Sequence, residues 1–145
     1  METQKAFEGI IYYCIKKKIE LVNSNVWSYD HDENIITEVW RGRPTKNWVY
    51  TMLHELGHAL SYKSKGFSYR SWKLSEIGES IAIDKVATVQ IMREEMEAWE
   101  NGLKIAKKLD ISIDKKDYDK FASKCLFKYM RELPNQYDSL KNKRK

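Results

Sequence analysis

The chain has 145 residues, 42% of them hydrophobic and 32% charged, with five Trp, nine Tyr and two Pro. That composition describes one globular domain with room for a core, and it excludes a disordered chain. The formal charge is +5, but four of those charges are Lys141, Lys143, Arg144 and Lys145, so the remaining body is near neutrality and argues against a nucleic-acid partner.

Cys14 and Cys125 match no CxxC or zinc-ribbon spacing and read as two buried free thiols. The first residues lead into no uninterrupted apolar run, so neither a signal peptide nor a membrane span is expected, and the cytoplasm is the default location.

From Thr3 to Val22 apolar residues recur at three- and four-residue spacing, which predicts an amphipathic helix. Val26 to Asp30 and Ile35 to Arg41 are rich in β-branched and aromatic residues around the turn-like His31-Asp32-Glu33-Asn34, which predicts a β-hairpin. In its second strand Ile35, Thr37 and Val39 share one face and Ile36, Glu38 and Trp40 the other. Gly42-Arg43-Pro44 ends the sheet, and Thr45 is a candidate N-cap for a helix over Asn47 to Lys63.

Gly66 to Gly78 lacks periodicity and reads as a loop. A long helix is expected from about Ser80 to Leu109. It carries two apolar stripes, one of Thr88, Met92, Met96, Trp99, Leu103 and Ala106, the other including Ala87, Ile91, Ala98 and Ile105. Asp110 to Asp114 interrupts it, with Ser112 or Asp114 placed to cap a last helix over Asp117 to Glu132 that stops before Pro134. Residues 1–134 form a single domain on this reading, and 135–145 a basic, frayed tail.

The chemistry is concentrated in His54-Glu55-Leu56-Gly57-His58, an HExxH motif. Residues four apart on a helix share a face, so two imidazoles can bind one metal ion while the adjacent glutamate reaches a water on it. With His54 at 0° on a helical wheel, His58 lies near 40° and Thr51 near 60°. Val49, Met52, Leu53, Leu56 and Leu60 cluster between about 160° and 260°. The histidines therefore face away from the apolar stripe of their own helix, which weakens the reading of them as core residues.

A catalytic zinc takes three protein ligands and keeps one position for water. The one other histidine, His31, precedes the motif, so the downstream histidine of metzincins and SprT-like sites is absent and the third ligand must be an acid. Glu76, Glu79 and Asp84 lie near the loop; Glu94, Glu95, Glu97 and Glu100 lie on the long helix. Glu95 flanks the Met92, Met96, Trp99 stripe and Glu94 follows the Ile91, Ala98 line, while Glu97 and Glu100 are expected in solvent.

HELGH followed by a glutamate on a later helix resembles the gluzincins, and Glu95-Met96-Glu97-Ala98 resembles the ExxA signature of the ImmA/IrrE-like metallopeptidases of bacteria, phages and mobile elements. That resemblance implies Glu95 as the third zinc ligand. The chain differs in having Trp99 where that family has Asp or Asn, and in lacking an evident helix-turn-helix.

The expected fold is α+β, a mainly helical zincin-like domain with a small antiparallel hairpin or sheet packed on the motif helix. The expected function is a zinc-dependent peptidase in which His54, His58 and Glu95 bind Zn²⁺ and Glu55 is the general base. Its partner would be a protein or peptide substrate, paired along the edge of Ile35 to Arg41. Tyr50, Tyr62 or a tyrosine of the following loop would stabilise the oxyanion. The alternative is a non-catalytic binding or regulatory protein on the same scaffold that retains its metal.

Overall fold

The computed structural model describes residues 1–66 and 85–143, with side chains described for 1–66 and 89–131. Its elements are α1 (Thr3–Lys16), β1 (Glu20–Asn23), β2 (Ser28–Asp30), β3 (Ile35–Glu38), α2 (Lys46–Lys65), α3 (Lys85–Lys108) and α4 (Lys115–Lys143). The class is α+β, with four helices and one small sheet among the described residues. Among the described residues no helix is long and apolar enough to cross a membrane.

The first helix is shorter than its periodicity predicts. Lys18 adopts φ +58, and its N–H bonds to the Ile15 carbonyl while that of Ile19 bonds to the Cys14 carbonyl. This paired closure ends a helix in a left-handed residue. The chain then leaves as β1, so Leu21 and Val22, which continue the helical spacing, are strand residues.

The sheet is mixed, with the order β1-β3-β2. The hairpin is present as the antiparallel pair of β2 and β3, in which Tyr29 faces Ile36. Its turn is held by the Asp30 carboxylate, which accepts from the Asp32 and Glu33 N–H groups, and by Asn34 at φ +55. The correction is β1, which pairs in parallel with β3 from Glu20 opposite Ile35 to Asn23 opposite Glu38. β3 is thereby the central strand. Both of its edges are satisfied, so the expected addition of a substrate strand along Ile35 to Arg41 is not available over Ile35–Glu38.

The face of β3 carrying Ile36, which is fully buried, is turned to the helices. Phe7 of α1, Trp40 after β3 and Trp48 of α2 form one aromatic cluster, with Phe7 5.4 Å from Trp40 and 5.3 Å from Trp48. Thr45 caps α2 by accepting the Trp48 N–H at 3.1 Å, and Gly66 closes it at φ +65.

The opposite face of α2 is covered by α3. A Cβ on Gly57 would lie 1.9 Å from the Ala98 carbonyl oxygen, and one on Gly102 would lie 2.9 Å from the Leu53 carbonyl oxygen. Glycine at these two points is what lets the backbones touch. Asn101 ties the same crossing, donating to the Ser61 hydroxyl at 2.7 Å and to the Gly57 carbonyl at 3.4 Å.

The stripe expected on α3 is shifted. Ile91, Glu95, Ala98, Trp99, Gly102, Ile105 and Ala106 are buried, whereas Met96 is 51% exposed. The face that enters the core is the one that fits Gly57, and methionine lies beyond its edge.

Asp114 caps α4 by accepting the Asp117 N–H. The helix continues through Pro134 to Lys143, where a stop is predicted, since one missing N–H interrupts a hydrogen bond without obliging a helix to end. Cys14 is buried as expected, whereas Cys125 is exposed even though its i, i+7 spacing places it on the same side of α4 as the buried Tyr118. The loop expected over Gly66 to Gly78 and the helix start near Ser80 lie outside the described residues, apart from Gly66 itself.

Candidate metal centre

Because α3 covers the histidine side of α2, the HExxH residues are interior. His54 and Glu55 are buried, and His58 sits at the margin with a side chain 24% exposed. Glu95, on the buried line Ile91-Glu95-Ala98-Gly102 of α3, points between the histidines. Its Oε2 lies 3.0 Å from His54 Nε2 and 3.2 Å from His58 Nε2.

Among the described residues, His54, His58 and Glu95 are the one group of three with metal-ligating atoms brought together, all within 4.8 Å of one another. Ligands held tetrahedrally at zinc–nitrogen and zinc–oxygen bond lengths are about 3.3 Å apart. The two His–Glu separations are close to that spacing, and the donor set of two imidazoles and one carboxylate leaves a fourth position for water.

Electrostatics favours an ionised Glu95. Burial alone raises its carboxyl, but hydrogen bonds from His54 and His58, with their charge, outweigh burial and hold it well below the usual carboxylate range. A buried carboxylate facing two imidazoles is suited to a divalent cation, whose charge replaces that of the protons.

The His54 ring is oriented by stacking. Trp99 lies against it at a centroid distance of 4.2 Å and an interplanar angle of 25°. His54 Nδ1 is buried and has no hydrogen-bond partner among the described residues. A carboxylate or carbonyl commonly orients the imidazole of a metal site, whereas the neighbour against the His54 ring is an indole face. Trp99 was legible only as an apolar helix residue, since nothing in its spacing marks a contact across to α2.

The other sequence candidates are elsewhere. Glu97 pairs with Lys65 at the surface, Glu100 is exposed, and Glu94 is outside the cluster. Glu76, Glu79 and Asp84 lie outside the described residues. His31 stacks on Tyr62 at 4.3 Å and contacts Asp32. Tyr50, one of the oxyanion candidates, donates its hydroxyl to Asp117 at 2.8 Å on the side of α4, so it is a structural residue. Tyr62 is one turn beyond His58, and the loop tyrosine lies outside the described residues.

No protein-family model, curated protein or solved structure matches the chain.

Proposed function

We propose that the protein is a zinc-dependent peptidase whose metal ligands are His54, His58 and Glu95 and whose general base is Glu55. The observation that carries this reading is the convergence of one Glu95 oxygen on both histidine Nε2 atoms at 3.0 and 3.2 Å, from a helix separate from the motif. A glutamate adjacent to a ligand in HExxH adds the base that a purely structural metal site does not require.

When bound, zinc supplies Lewis acidity toward a peptide carbonyl and lowers the pKa of a water from about 15.7 to near 7. Glu55, beside His54 on α2, takes a proton from the attacking water and delivers it to the departing amine nitrogen. Glu95 remains ionised and accepts no proton in the cycle. Trp99 covers one face of the His54 ring, excludes water from it and fixes its direction. Gly57 keeps α2 and α3 close enough for Glu95 to meet the histidines.

The test is hydrolysis of a quenched-fluorescent peptide library by the zinc-loaded protein and by Glu55→Gln. The expected result is turnover by the wild type and a loss of at least about 100-fold in Glu55→Gln at unchanged zinc content. Equal turnover by both removes Glu55 from its role. Tight zinc retention with no turnover by either favours the regulatory module instead.

A further inference from the structure

A second feature lies on the same row of α2 as the histidines. Asn47, Thr51, His54 and His58 fall within a sector of about 60° on the helix. Asn47 and Thr51, at the N-terminal end of that row, line a cavity of about 280 Å³ whose rim carries Arg41 and Arg43 and whose walls include Trp27 and Trp48.

No acidic side chain lines this cavity, and neither guanidinium has an ion-pair partner among the described residues. Arg41 and Arg43 bracket Gly42, which sits at φ +86. That turn leaves both arginines on the short link between β3 and α2, beside the start of the helix, where the backbone dipole also favours an anion. The volume fits a single side chain or chain end rather than a large ligand. An anionic head with an apolar stem suits it, the stem lying against indole and the head meeting a planar guanidinium fork.

We propose that this cavity binds a carboxylate of a peptide, and that it is the recognition pocket for substrates cut at the neighbouring metal centre. The second half of this statement rests on the peptidase reading. Thr51 precedes His54 by about 4.5 Å along the helix axis. Asn47, which also lines the cavity, precedes His54 by about 10.5 Å, and an extended peptide advances about 3.3 Å per residue, so a carboxylate in the cavity belongs to a residue about one to three positions from the bond presented to the metal. Carboxylate is the ligand chemistry; an Asp or Glu side chain and a chain terminus are its two sources.

The experiment is calorimetric titration of the full zinc-loaded chain with four pentapeptides. Acetyl-Ala-Ala-Glu-Ala-Ala-amide is compared with its Gln twin, and acetyl-pentaalanine with a free carboxylate is compared with its amide. The expected result is at least ten-fold tighter binding of one carboxylate peptide than of its neutral twin, with the favoured pair identifying the source. In the Arg41→Ala/Arg43→Ala variant, at unchanged zinc content and melting temperature, the ratio falls to near one.

Equal affinities within both pairs, or a ratio that survives removal of both arginines, overturns the proposal. So does a mononucleotide that binds at the arginines while no carboxylate peptide does. The two readings fail separately. An intact charge ratio without hydrolysis sinks the peptidase and leaves the carboxylate pocket, while hydrolysis of acidic and neutral twins at equal kcat/KM sinks the pocket and leaves the peptidase.

Discussion

Replacing Gly57 with alanine probes the contact on which the proposed metal centre depends. The added Cβ would stand 1.9 Å from the Ala98 carbonyl oxygen and 2.8 Å from its carbon, and both are backbone atoms that cannot rotate aside. An ordinary carbon–oxygen contact is about 3.3 Å, so α2 and α3 must move apart by roughly 1.4 Å. Alanine gains about 1 kcal/mol over glycine in a helix interior. Overpacking commonly costs about 1–3 kcal/mol, and a rigid backbone partner puts this site at the upper end, for a net loss of about 2 kcal/mol. Metal–ligand distances tolerate only about 0.2 Å, so a shift of that size separates Glu95 from the histidines and lowers zinc affinity by roughly 100-fold or more. Urea unfolding of the metal-free protein and zinc competition against a chromophoric chelator measure the two effects. Gly9→Ala in α1 is the control, because its added Cβ meets no atom within 4 Å beyond the local backbone of its own helix, and it gains about 1 kcal/mol. Gly57→Ala with wild-type stability and wild-type zinc affinity would refute the close-crossing argument.

Trp99→Leu keeps an apolar side chain on α3 but removes the stack on His54, and zinc affinity falls about ten-fold by chelator competition. The Asp117 carboxyl is held below its ordinary range by hydrogen bonds from Lys46 and Tyr50. A depressed folded-state pKa contributes stability that is present above the unfolded value and lost as pH falls through the folded one. Asp117→Asn therefore flattens the loss of stability on acidification below about pH 4, measured by urea midpoints across pH. Burial pushes the Cys14 thiol up to about 12, with the nearby Glu38 adding to it, while Cys125 is exposed. Titration with a thiol reagent at pH 8 labels Cys125 in the native protein and reaches Cys14 only on unfolding.

The motif helix and the hairpin are legible in the sequence because both are local. Thr45 and the HELGH run mark a helix with its N-cap, and the turn at Asp30 to Asn34 brings neighbouring segments together. β1 is not legible, because Leu21 and Val22 extend the spacing of α1 and its partner in β3 lies across an intervening strand. The helix ends where Lys18 turns left-handed, a conformation for which lysine gives no signal.

Glu95 shows the same limit. Two apolar stripes on α3 allow two rotations about its axis, and the choice is made by Gly57 against Ala98, a contact between segments far apart in the chain. The exposure of Met96 and the burial of Glu95 are one consequence of that choice. The arginine-lined cavity is equally hidden, since Arg41 and Arg43 read only as residues of a turn until Asn47 and Thr51 are set beside them.

The most direct test of the metal centre is elemental analysis of zinc-equilibrated, desalted protein, comparing wild type with His54→Ala, Glu95→Ala and Glu94→Ala. One zinc per chain in the wild type and in Glu94→Ala, with loss in His54→Ala and Glu95→Ala, is the predicted result. A full equivalent of zinc retained by Glu95→Ala, or lost by Glu94→Ala in its place, would contradict it.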